Sequence, residues 1–492
     1  MKAPALRSSA AAPPHPRGLY TLFFTEMWER FSYYGMRALL VLFMVEQVQK
    51  GGLGFTDEVA NAIYGLYVAA VYLAALPGGW VADHLLGTRR AVWFGGMVIA
   101  AGHFTLAIPR IEAFFLGLIL VALGTGLLKP NVSALVAGLY PEGGARRDSG
   151  FTVFYMGINL GAALGPLVCS TLGEKVQWHY GFAAAGIGMV AGLAQFKLTE
   201  RHLGTIGRAS PVNPYRRRDL VLALGGLGLV AVVSVLGLTG ALRPEPVALA
   251  EHTAGFIVGL GCLYFTVLFL AGGLNRTEKR RLVVVAILFV TSAIFWAGLE
   301  QAGSSLNLFA SRFTQRDFFG WNIPAGWLQF FNPAFVILLA PVMAGLWVML
   351  ARRQQRLALP LQFGLGLAVL GLGFLVMCLA STKALAGSKV WPTWLIATYF
   401  LHSVGELFLS PIGLSSVTKL APQRLVGQMM GLWFLATSLG NLFAGLLAGD
   451  VTGEGAAGMP GRFLMVALVS IGAGALLVLF RRPIQRLTAG AE

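Results

Sequence analysis

The strongest constraint on what this chain can fold into is the near end-to-end recurrence of apolar blocks of about 20 residues, the length an α-helix needs to cross a bilayer. Turn residues and charge clusters separate the blocks and place spans near 20–47, 59–82, 90–109, 113–139, 150–172 and 178–198. After a polar stretch come two more, near 220–240 and 253–273. Six further spans lie near 282–310, 326–351, 361–381, 392–418, 426–449 and 461–480. The expected fold is therefore an all-α membrane protein of fourteen transmembrane helices, grouped six, two and six. Composition supports the class: 56% of the 492 residues are hydrophobic and 12% charged, against about 25% charged in an ordinary soluble domain. The predicted divisions are a cytoplasmic tail over 1–18, an N-terminal bundle over 19–199, a linker with two extra helices over 200–281, a C-terminal bundle over 282–481 and a cytoplasmic tail over 482–492.

A net charge of +16 could suggest nucleic acid, but the basic residues fall between apolar blocks and form no separate basic domain, so no nucleic-acid partner is expected. Sorted into the two alternating sets of connections, roughly 25 of the 37 Lys and Arg fall in the set that holds both termini and about 9 in the other. Arg30, Arg37 and Lys129 fall inside spans. The bias predicts a multi-pass inner-membrane protein with both termini in the cytoplasm. The first 18 residues contain no apolar signal core and read as a polar tail. Cys169, Cys262 and Cys378 lie in apolar segments without metal-ligand spacing, so they read as packing residues and no metal site is expected.

The first span is the exception to its own pattern. "FTEMWERFSYYGMRALLVLF" (24–43) carries Glu26, Glu29, Arg30 and Arg37. On a helix, positions 26, 29, 30, 33 and 37 share one stripe. Facing lipid, four such charges would cost on the order of 10 kcal/mol, so the stripe must face protein or water. Pairing that merely fixes helix packing would satisfy Glu29 and Arg30, but Tyr33 and Tyr34 add hydrogen-bonding groups suited to a hydrated pocket wall. Three other spans each bring a buried ionisable group: Lys129 in "GTGLLKPNVSALV", Glu300 in "FWAGLEQAGSSLN" and Glu406 in "HSVGELFLSPIGLS". The cations come from the first half and Glu300 and Glu406 from the second, so a shared cavity would be cationic on one wall and acidic on the other. A short zwitterion fits such walls: a carboxylate meets Arg37 and Lys129, an ammonium meets Glu406, and Asn159, Asn332 and the tyrosines satisfy an amide.

Four stretches, "ExxERFSYYG" (26–35), "GTGLLKPNVSALVAGLY" (124–140), "FTVFYMGINLGA" (151–162) and "GELFLSPIGLS" (405–415), carry a family resemblance. From about residue 20 to 480 the chain resembles the proton-coupled oligopeptide transporters, the POT or PTR family of the major facilitator superfamily, and its layout resembles the bacterial branch, with two extra helices between two six-helix bundles. The resemblance implies symport of di- and tripeptides with protons by alternating access. It implies no cofactor, with protons as the coupling ion, membrane lipid as surroundings and function as a monomer. Position by position, it assigns Glu26, Glu29, Arg30, Lys129 and Glu300 to proton coupling. It assigns Arg37, Tyr33, Tyr34, Tyr67, Lys129, Asn159, Trp296, Glu300, Asn332, Glu406, Ser410 and Trp433 to the peptide pocket. His402 has no place in the pattern and reads as packing, although a histidine can titrate near neutral pH. The alternatives are a carrier of nitrate, an amino acid or a peptide-like drug on the same fold, a membrane enzyme using Glu300 and Glu406, or a receptor or channel. No metal cluster, Ser/His/Asp set or phosphate loop supports an enzyme.

Overall fold

A computed structural model describes residues 14–208, 213–353, 357–450 and 453–488. Most of the predicted 1–18 tail, the last residues of the 482–492 tail and part of two basic connections therefore lie outside the described residues. The N-terminal bundle comprises α1 (Arg17–Val45), α2 (Asp57–Val81), α3 (Thr88–Leu106), α4 (Ile111–Gly138), α5 (Gly144–Lys175) and α6 (Trp178–Thr199). Two further helices follow, α7 (Arg216–Leu238) and α8 (Pro246–Ala271). The C-terminal part comprises α9 (Arg276–Leu299), α10 (Ser305–Arg312), α11 (Phe331–Arg352), α12 (Leu359–Leu385), α13 (Thr393–Leu420), α14 (Val426–Ala448), the short α15 (Gly453–Ala457), α16 (Met459–Leu479) and α17 (Arg481–Thr488). Among the described residues, 12 helical segments are long and apolar enough to cross a membrane. The remaining two crossings are α1, which carries the charged stripe, and α3, which opens on Arg89 and Arg90.

Local chemistry sets the helix ends. Thr56 caps α2 by accepting from the Val59 amide, and Asn275 and Glu278 form a reciprocal capping box at the start of α9, both bonds 2.9 Å. Pro246 occupies the first turn of α8, where its missing N–H costs nothing.

Within the N-terminal bundle the charged helix α1 is clamped between α5 and α6. The run Gly157, Gly161, Gly165 on α5 makes this possible, because a Cβ at Gly161 would stand 2.1 Å from the Met27 carbonyl oxygen and one at Gly165 2.3 Å from that of Phe31. Small residues at every fourth position let two membrane helices touch backbone to backbone. The two bundles meet through α2 against α14 and α5 against α11, while α8 packs on α2 and α14.

The span expected as one helix over 282–310 is broken. α9 ends at Leu299, Glu300–Gly303 form a 3-10 turn, Ser304 adopts φ −119° and ψ −104°, and α10 resumes at Ser305. Two elements went unforeseen in sequence: a β-hairpin of β1 (Asp317–Phe318) and β2 (Trp321–Asn322), and a 3-10 segment at Ala325–Phe330 leading into α11. The hairpin lies between apolar blocks, where periodicity carries no signal, and the 3-10 segment takes up the start of the span expected as helix over 326–351.

Candidate functional site

The break at Glu300 brings its carboxylate out of line with α9 and onto Arg37 of α1, with Nη2 and Oε2 3.1 Å apart and both side chains buried. The Tyr64 hydroxyl, from α2, donates to the Glu300 backbone oxygen at 3.3 Å. The Arg37 guanidinium lies 5.3 Å from the Tyr34 ring and 5.9 Å from the Tyr64 ring. This ion pair joins the two bundles.

Two turns earlier on α1, Arg30 holds two carboxylates, Glu26 at 3.1 Å and Glu29 beside it. Lys129, one residue before the in-helix Pro130 of α4, stands 4.1 Å above the Tyr72 ring and makes no ion pair among the described residues. Across the gap, Glu406 of α13 is held among the described residues by neutral donors alone: the Tyr155 hydroxyl and the Asn332 amide, both at 3.4 Å. The Asn332 amide also donates to Ser403 Oγ at 2.9 Å. At 3.4 Å these bonds are long, so the carboxylate keeps acceptor capacity for another donor.

These groups surround one cavity of about 240 Å³ between the bundles. Of the residues expected at the site, Glu26, Arg30, Tyr34, Arg37, Lys129, Asn159, Trp296, Asn332, Glu406, Ser410 and Trp433 line it. Four do not. Glu29 and Glu300 stand behind the wall, each paired with a wall arginine, and the Tyr33 ring lies 5.3 Å from the Arg30 guanidinium. Tyr67 borders a different crevice, towards α4, α7 and α8, because its position on α2 turns that side of the ring away from the bundle interface. Tyr155 and Gln329 are wall residues that sequence reasoning missed. Tyr155 was within reach, since it stands four residues before Asn159 and accepts that amide on its backbone oxygen at 2.9 Å. Gln329 sits in the 3-10 segment, which no periodic signal marks. His402 lies off the cavity, buried with its ring 4.9 Å from that of Phe374.

The arrangement is chemically polarised. An unpaired ammonium, Lys129, faces the cavity from one bundle and an unpaired carboxylate, Glu406, from the other. Trp296 Nε1 and Ser410 Oγ, both on the wall, are buried without a hydrogen-bond partner among the described residues. Buried polar groups are ordinarily satisfied, so the cavity offers a donor, a hydroxyl, a cation and an anion to a bound molecule.

Comparison with known proteins gives this geometry a setting. Residues 89–457 match the POT family. The chain is 42% identical to a peptide transporter of Yersinia enterocolitica over 96% of this chain and 95% of that one. It is 36% identical to a di-/tripeptide transporter of Lactococcus lactis, covering 96% of each. Among solved structures, it resembles a peptide transporter POT in complex with sulfate, with a TM-score of 0.88, 40% identity and 96% of both chains covered.

Proposed function

The chain belongs to the POT family of membrane transporters, and we propose that it imports di- and tripeptides across the cytoplasmic membrane, driven by protons, through alternating access of the cavity between its bundles. The observation that carries the reading is the unpaired Lys129 on one wall facing the unpaired Glu406 on the other. A free peptide carries one charge of each sign at its ends. Its carboxylate joins Lys129 and Arg37, its ammonium replaces the long bonds at Glu406, and its amide meets Asn159 and Asn332. The unfilled Trp296 and Ser410 groups point the same way. The relatives' activities, as peptide and di-/tripeptide transporters, agree with it.

Proton coupling follows from a charge imbalance. Three cations, Arg30, Arg37 and Lys129, share the region with four carboxylates, Glu26, Glu29, Glu300 and Glu406. One negative charge is left over among largely buried side chains, and one proton neutralises it. Placed on Glu300, the proton dissolves its pair with Arg37 and frees the guanidinium for the peptide carboxylate. Loss of that proton to the inner side restores the pair and expels the carboxylate, so each proton biases the equilibrium between states. One charge moving down about 100 mV releases about 2.3 kcal/mol, enough for roughly fifty-fold accumulation of a neutral peptide.

Both termini belong in the cytoplasm on the basic-residue bias, and the bundle encloses its own pathway as a monomer. The test is uptake of labelled dialanine into liposomes with pH gradient and voltage set separately. Either gradient is expected to drive accumulation, and amidated dialanine is expected to compete poorly. Uptake that only equilibrates, whatever the gradient, would refute coupling.

A further inference from the structure

A second cavity, of about 560 Å³, opens between α2, α4 and the extra helices α7 and α8. Its walls include Tyr67, Phe115, Leu118 and Leu238, and its rim holds Glu112 and Arg243. The cavity exists because α7 stands off the body: none of its most apolar stretch is buried, and little of it beyond Ser234 and Leu238 is even partly covered. In a bilayer such a crevice does not stay empty, since bare apolar walls forfeit dispersion contacts, and water gains little from them. At about 30 Å³ per group the size of a water or methylene, it has room for roughly 18 groups, the length of one acyl chain.

The rim selects among lipids. Ile111 and Glu112 open α4, Leu242–Pro246 join α7 to α8, and all lie at the membrane face opposite the chain termini. Glu112 and Arg243 are exposed there, and neither forms an ion pair with another side chain among the described residues. Arg243 donates from Nε to the Gly240 carbonyl at 3.1 Å, which leaves its outer nitrogens available. A mouth with one carboxylate and one guanidinium over an apolar shaft is complementary to a zwitterionic head group whose ammonium donates hydrogen bonds. We propose that this crevice binds a phospholipid of the outer leaflet with a phosphoethanolamine head, its phosphate on Arg243, its ammonium on Glu112 and one acyl chain along Tyr67 and Leu238. The occupant rests on α2 one turn from Tyr64, the residue that holds the Glu300 backbone.

The protein purified in detergent, given equimolar phosphatidylethanolamine, phosphatidylcholine and phosphatidylglycerol with identical chains, reports its bound lipids by native mass spectrometry. The wild type is expected to retain phosphatidylethanolamine about tenfold over either competitor. Glu112→Gln should erase that preference while lipid still binds, because the phosphate contact survives, and Arg243→Ala should lower retention of all three. Gly237→Phe should also lower retention of all three, by filling the shaft at a position with open space around a side chain. Equal retention of the three lipids by the wild type would overturn the proposal, as would a preference unchanged by both rim variants. Lipids are counted without peptide or gradient, so failure here leaves the peptide reading standing.

Discussion

At the scale of single residues, the site rests on two arginines of one helical stripe, two turns apart, with different company. Arg30 sits between two carboxylates on its own helix and is neutralised locally, whereas Arg37 depends on Glu300 from the other bundle. Only the second pair spans the two bundles, so under the proposed mechanism Glu300 is the residue where proton and movement meet. Glu300→Gln imitates the protonated state permanently. Accumulation driven by a pH gradient is expected to fall from roughly fifty-fold to about one, while exchange of labelled for unlabelled peptide across the same liposomes continues. Persisting accumulation would move the coupling proton elsewhere. The stripe on α1 was legible in sequence, because helical spacing alone aligns Glu26, Glu29, Arg30 and Arg37. Opposite charge alone let Glu300 pair with Arg37 or a neighbour, but which of them it meets was not legible, since Glu300 stands 263 positions along the chain from Arg37 and reaches it through a helix break that no periodicity announces.

At the scale of elements, the crossing of α1 and α5 fixes where the charged stripe points. The glycines of α5 bring the two backbones together at Met27 and Phe31, on the side of α1 that flanks its cavity-facing stripe. Burial of that side leaves Tyr34 and Arg37 turned inward. A side chain at Gly161 would force the helices apart. Gly161→Leu is expected to destabilise the protein by about 1–3 kcal/mol through overpacking, read as a lowered thermal midpoint in detergent. Gly472→Leu on α16, where nothing lies within 4 Å of a Cβ, serves as the control. An equal effect of both would mean that the close approach contributes nothing. The glycines were visible in "FTVFYMGINLGA", but their spacing does not say which helix they meet.

At the scale of the molecule, polar ties between the bundles run from the cavity towards the face opposite the termini. Arg312 of α10 grips Asp57 of α2 with both terminal nitrogens, at 2.6 and 2.8 Å. Glu174 of α5 accepts the backbone amides of Ala325 and Gly326 at 2.7 and 2.9 Å, and the Asn61 amide donates to the Gly449 carbonyl at 3.1 Å. This face is closed and fastened in the structure. Arg312→Ala removes a charge-assisted pair of about 1.5 kcal/mol or more, and is expected to raise the open-to-closed ratio of the face opposite the termini by about tenfold. Spin labels at the start of α2 and the end of α10 would show it as a longer-distance population in pulsed resonance measurements. An unchanged distance distribution would mean that the remaining ties alone hold the face.

The sequence by itself determined the class of fold, the layout of fourteen helices and the charged residues of the cavity, because hydropathy and charge act locally, while Trp296, Ser410 and Trp433 came from the family resemblance. An apolar run must span and a charged stripe within it must hide from lipid, whatever the rest of the chain does. Tertiary structure alone decided which hidden charges are spent on one another and which stay available. Arg37 is occupied by Glu300 while Lys129 and Glu406 line the same cavity with no ion pair among the described residues, and Tyr67 borders a second cavity. Pairing depends on ångström distances between segments hundreds of residues apart, and those distances are set by packing against neighbours that no local pattern encodes.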